Sequence, residues 1–89
     1  MNMQSVTERS TGVESWMVAY MADLLDIPPT TVDVSRTFDQ FGLDSAATVA
    51  FTSDLGRWLG VKLDTKVMLE NDTIKAVSAY VLKQHGQAA

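Results

Sequence analysis

The sequence predicts an all-α fold: a four-helix bundle of three main helices and one short helix, with a long ordered loop between helices 1 and 2. The first ground is periodicity. Apolar residues recur every three or four positions over residues 13–24, 51–59 and 74–81, the spacing of one buried helical face. The second is the aperiodic stretch over residues 27–44, which still carries Val32, Val34, Phe38, Phe41 and Leu43 as apolar anchors. A loop of that length in a chain of 89 residues is expected to be ordered and in use.

Residues 1–10, MNMQSVTERS, show no periodicity and are read as a flexible tail. Helix 1 is expected to start at Thr11, which with Glu14 has the spacing of a capping box. It runs inward through Val13, Trp16 or Met17, Tyr20 and Leu24, and Pro28-Pro29 stop it. Trp16, Met17 and Tyr20 share this stripe and read as core, whereas Asp23, Asp26 and Asp33 read as a solvated face. In the loop, Gly42 marks a backbone geometry costly for other residues. Helix 2 covers residues 45–59, with Phe51, Leu55 and Leu59 as its buried stripe and Thr48 and Trp58 beside it. Gly56 weakens its interior slightly, and Gly60 is placed as its C-terminal cap. A short helix is expected over 65–70. Asp72 or Thr73 then caps a last helix reaching Gln84, with Ile74, Val77 and Val81 inward. Residues 85–89 read as a second flexible tail, leaving one folded domain over 11–84.

Composition removes several classes of function. Hydrophobic residues make up 46% and charged residues 20%, which suits a folded chain. With no cysteine there is neither a disulfide framework nor a thiolate nucleophile or metal site. The single histidine, His85, falls in the C-terminal tail, so a metal centre or a serine triad has no base to be built from. A net charge of −4 repels phosphate backbones, excludes nucleic acid as a partner, and suits partners that present basic patches. No apolar run nears membrane-spanning length and the N-terminus lacks a signal-peptide core, so no membrane partner is expected and the expected location is the cytoplasm. With no second apolar face left over once the core forms, a monomer is expected.

The informative residues are Phe38-Asp39-Gln40-Phe41-Gly42-Leu43-Asp44-Ser45. A serine placed where a loop turns into an amphipathic helix has an exposed hydroxyl beside free backbone N–H groups and the positive end of that helix. A phosphate ester on Ser45 would sit at a ready-made anion site. Read alone, Ser45 is also a good helix N-cap, and its replacement by alanine would then cost about 1 kcal/mol.

Gly42-Leu43-Asp44-Ser45 resembles the phosphopantetheine attachment motif of acyl and peptidyl carrier proteins. The resemblance continues in the loop aromatics Phe38 and Phe41, in Val49, Phe51, Leu55 and Trp58-Leu59-Gly60, and in Leu69-Glu70 and Thr73-Ile74 before the last helix. It implies that 4'-phosphopantetheine is attached covalently to Ser45 by a phosphopantetheinyl transferase, with Asp44 as a contact for that enzyme or its metal ion. It further implies a protein that is not an enzyme, carrying acyl intermediates as thioesters on the arm. The partners implied are an acyl-loading enzyme and a ketosynthase or other assembly-line enzymes.

The departures from the family pattern are specific. Ala46 stands where a bulky aliphatic residue is usual, Ala50 where glutamate is common, and Asp72 where a proline precedes Thr73. Asp54 is the only acid between Ser45 and Leu59, so this helix is more apolar than in carriers of bacterial fatty acid synthesis. The run Phe41–Ala47 with Trp58-Leu59-Gly60 is most similar to carriers of polyketide or hybrid assembly lines, some of which are loaded by fatty-acyl-AMP ligases. Ala46, Val49 and Ala50 read either as plain helix surface or as the patch that docks partners, and their place next to the arm favours docking. Met68 reads equally as lining for the arm and as packing. The alternatives to an acyl carrier are an unmodified helical interaction module and a peptidyl carrier with aminoacyl cargo.

Overall fold

The computed structural model describes residues 5–84, which form α1 (Ser5–Leu25), α2 (Ser45–Leu59), α3 (Lys66–Glu70) and α4 (Ile74–Gln84), with a single 3-10 turn at Pro29–Thr31. Among the described residues the only β-type pairing is an isolated bridge between Thr37 and Thr73. No helix among them is long and apolar enough to cross a membrane. The expected bundle and its long loop are both present.

The core is built from one stripe per helix. Val13, Met17 and Met21 come from α1, Phe51 and Leu55 from α2, Val67 and Met68 from α3, and Ile74, Val77 and Val81 from α4. Phe51 is fully buried and is the hub of the aromatic packing, with ring centroids 4.3 Å from Tyr20, 6.0 Å from Phe38 and 6.3 Å from Trp16. Trp16 also stacks on Tyr20 and on Trp58, so of the α1 stripe Met17 is core while Trp16 and Tyr20 pack partly buried against it, with Trp58 half-exposed at the edge.

Four expectations are corrected. First, α1 begins at Ser5 rather than Thr11, so residues 5–10 are helical and Thr11 lies inside the helix, not at its cap. Nothing from Ser5 to Thr11 is a glycine or proline, and a helix already nucleated downstream extends through such residues. Residues 1–4 and 85–89, read as tails, lie outside the described residues. Second, Leu24 is 44% exposed. Met21 takes the inward position in its place, because the stripe steps by four from Val13 through Met17. Third, α1 ends at Leu25, before the prolines. Asp26 adopts a left-handed φ of 58°, and the amides of Asp26 and Ile27 donate back to the carbonyls of Asp23 and Ala22 in a Schellman closure. An aspartate in place of the usual glycine is what conceals this stop in the sequence.

The fourth concerns Gly56. It is buried in α2, and a Cβ built there would lie 2.7 Å from the Val61 carbonyl oxygen and 3.3 Å from the Leu63 amide nitrogen. The chain leaving α2 doubles back against this residue, so Gly56 is a packing requirement and not a mere weakness. Gly56→Ala is expected to lower stability by about 1–3 kcal/mol, although alanine is the better helix former. A urea midpoint at or above that of the natural chain would contradict this.

The loop is held by backbone hydrogen bonds to the start of α4. The Phe38 amide donates to the Asp72 carbonyl at 2.9 Å, and the Lys75 amide to the Val34 carbonyl at 3.1 Å. Thr37 and Gln40 close a turn between them, each side chain accepting from the other's amide. Asp33, expected to be only solvated, accepts from the Ser35 amide at 2.9 Å.

On the far side of α2, the Tyr20 hydroxyl donates to Asp54 Oδ2 at 2.6 Å. Burial, then the hydrogen bond to Asp54 and that carboxylate's charge, push the phenol up from 10.0 to about 12, with Arg57 pulling it back. The unfolded chain therefore ionises this tyrosine first. The stabilisation is complete below pH 10.0 and is lost as the pH rises to about 12. Denaturation midpoints should fall more steeply over that window in the natural chain than in Tyr20→Phe, and parallel curves would refute the linkage.

Candidate functional site

The N-terminus of α2 is built by Asp44. Its backbone is extended (φ −91°, ψ −177°) and its Oδ1 accepts from the Ala47 amide at 2.8 Å, while its carbonyl accepts from the amide and hydroxyl of Thr48, both at 2.9 Å. Asp44 is thus the N-cap and Ser45 the first helical residue. The sequence-based reading of Ser45 as a cap is corrected, because two good capping residues stand side by side and the backbone gives the role to the first. Ser45 is exposed and its hydroxyl has no capping duty. The amides of Ser45 and Ala46 have no partner further up the helix. Gly42, at φ +86°, turns the loop so that Leu43 and Asp44 lead into the helix in this geometry.

Ser45 opens onto a groove of about 320 Å³ between the loop, α2 and α3. Phe38, Leu43, Val49, Met68 and Leu69 give it an apolar lining, with Thr48, Thr65 and three aspartates as its polar part. Met68, read from the sequence either as lining for the arm or as packing and grouped there with the residues that would face a partner, is 2% exposed and belongs to the groove floor. It is pinned from behind by Thr52, whose buried hydroxyl donates to the Thr48 carbonyl and lies 3.1 Å from the methionine sulfur. The surface position is Leu69, which is 69% exposed and was named from the sequence only as part of the family pattern, not as a partner-facing residue. The signal was there: successive helical residues are about 100° apart, so α3 cannot bury Val67, Met68 and Leu69 together. Ala46, Val49 and Ala50 are all exposed on α2, beside Ser45 and the groove.

A surface hydroxyl at the positive end of a helix, with free amides next to it, is suited to esterification by a phosphate. The phosphopantetheine attachment site family matches residues 15–81. The chain is 39% identical over 69 residues to the acyl carrier protein TtuC of Teredinibacter turnerae, spanning 78% of this chain and 79% of that protein. It is also 27% identical over 75 residues to the polyketide synthase ThaG of Burkholderia thailandensis, of whose length it spans only 1%. Among solved structures, a free-standing peptidyl carrier protein of Acinetobacter baumannii superposes with a TM-score of 0.78 at 21% identity, covering 84% of this chain and 94% of that one. The HMG-ACPI domain of the CurA module of Lyngbya majuscula also gives 0.78, at 16% identity, covering 89% and 80%. At those identities the two structures establish the fold.

The chain therefore belongs to the phosphopantetheine attachment family and is a carrier protein. The cofactor of that family is covalent 4'-phosphopantetheine, and the exposed hydroxyl, free amides and adjoining groove fit such a group.

Proposed function

We propose that this chain is an acyl carrier of polyketide or related secondary-metabolite synthesis, with the phosphopantetheine arm on Ser45. The observation that carries the site is the division of labour at the head of α2: Asp44 caps the helix and leaves the Ser45 hydroxyl exposed beside two uncommitted amides. When attached, the arm supplies the thiol that this cysteine-free chain lacks. The chain's own residues hold the phosphate end at the helix N-terminus, tether the cargo and present it. Tethering raises the effective concentration of the cargo at a docked enzyme to the millimolar order without any catalytic group in the carrier.

The partners follow from this reading. A phosphopantetheinyl transferase would grip Gly42-Leu43-Asp44 and modify Ser45. An acyl-loading enzyme such as a fatty-acyl-AMP ligase, and a ketosynthase or its equivalent, would dock on the small apolar surface of Ala46, Val49 and Ala50. Similarity to an acyl carrier and to a polyketide synthase supports this assignment. The working location is the cytoplasm and the working unit a monomer.

Intact-protein mass after incubation with coenzyme A, magnesium and a broad-specificity transferase, followed by peptide mapping, tests it. One phosphopantetheine on the peptide containing Ser45 is the expected result. No gain with several such transferases on folded protein would sink the reading and favour the unmodified interaction module.

A further inference from the structure

The groove beside Ser45 has a distribution of charge that its apolar lining does not require. Of the side chains lining it, three are carboxylates, Asp39, Asp44 and Asp72, and none is basic. All three residues are exposed, so they stand at the mouth and not in the floor. Asp44 has an evident structural task at the helix cap. Asp39 and Asp72 have none through their side chains: what the structure uses of them is backbone, the Asp39 carbonyl accepting from Gly42 and the Asp72 carbonyl from Phe38. The bond from Phe38 holds the loop against the start of α4, and with it Asp39 and Asp72 are brought to the same groove.

We propose that Asp39 and Asp72 sort the cargo by charge, admitting an uncharged acyl chain to the groove and keeping a carboxylated one out. The proposal rests on Ser45 bearing the arm, since that is what brings the cargo to the mouth. An uncharged chain leaving water for Phe38, Leu43 and Met68 gains burial and meets no opposing charge. A chain ending in a carboxylate must approach fixed carboxylates while part of its own hydration is stripped, and both effects oppose entry. No basic group on the lining offsets them. An uncharged acyl group is thus partly sheltered between enzymes, whereas a carboxyacyl extender unit stays in solvent, open to the enzyme that decarboxylates or condenses it. Because Asp72 stands where the carrier pattern has a proline, this sorting is a property of this chain's own sequence.

The test compares two cargoes of equal length. Hexanoyl and adipoyl groups are loaded from their coenzyme A thioesters, intact mass and peptide mapping confirm one arm on Ser45, and amide ¹H–¹⁵N shifts are recorded against the unacylated holo form. Hexanoyl should shift the amides of Leu43, Met68 and Leu69, while adipoyl should leave them near their holo values, with groove occupancy lower by about five- to tenfold. In the double variant Asp39→Asn, Asp72→Asn, which keeps both backbone acceptors, adipoyl should recover most of the hexanoyl shifts. Equal shifts from the two cargoes in the natural chain, or an adipoyl difference unchanged in the variant, would overturn the sorting. A failure to gain mass at Ser45 would bring down the attachment reading, and the sorting with it.

Discussion

A Ser45→Ala chain is expected to gain no mass under conditions that fully modify the natural chain, while melting within about 4 °C of it. On the proposed function the loss is complete, because the ester oxygen would be the Ser45 hydroxyl. The fold is spared because Ser45 is the first residue of α2, not its cap, and is exposed. Alanine there is the better helix former and leaves the bond from Ala47 to Asp44 untouched. The neighbouring change, Asp44→Ala, should behave oppositely in stability, losing about 1 kcal/mol with the cap. The pair therefore separates the chemical residue from the structural one. Continued mass gain in Ser45→Ala would transfer the site to another hydroxyl, and Thr48 on the wall of the groove would be the first to examine.

Phe51→Ala is expected to have the largest effect on stability, about 3–5 kcal/mol, because it empties the point where α1, α2 and the loop meet. Phe51 is fully buried, and its removal deprives Tyr20, Trp16 and Phe38 of a common partner. Domains of this size bury proportionally little surface and lie toward the low end of the usual stability of about 5–15 kcal/mol. The variant should lose about 12–40 °C in Tm. Since Phe38 also lines the groove, the mass gain at Ser45 should fall with the folded fraction, and a Tm drop below about 8 °C would show that the core closes over the gap.

Where the chain's local chemistry was decisive, the sequence could be read directly. The α2 span of Ser45–Leu59 follows from a stripe that repeats every four residues and from Gly60, which takes the left-handed cap at φ 77°. The inward set of α4 and the anchors of the loop were likewise visible, because apolar residues in an otherwise polar context have few other uses. Thr73 capping α4 through the Ala76 amide was one of two options the spacing allowed. The attachment motif was legible because Gly42-Leu43-Asp44-Ser45, with the loop aromatics before it, resembles the motif of carrier proteins.

Other features had no local signature. Gly56 reads as a defect until the chain at residues 61–63 is seen to return against it, and that return is set by packing far along the sequence. Met68 and Leu69 are both large and apolar, and only the placement of α3 on α2 sends one to the groove floor and the other to solvent. Asp39 and Asp72 lie 33 residues apart and meet at one opening because Phe38 bonds to the Asp72 carbonyl. The sequence by itself determined the helices and the ordered loop, which rest on periodicity, caps and spacing within a few residues, and its motifs carried the resemblance that pointed to the family. The tertiary structure alone decided what lies beside Ser45 and which carboxylates line that opening, because those depend on contacts between segments that the chain brings together only when the core closes.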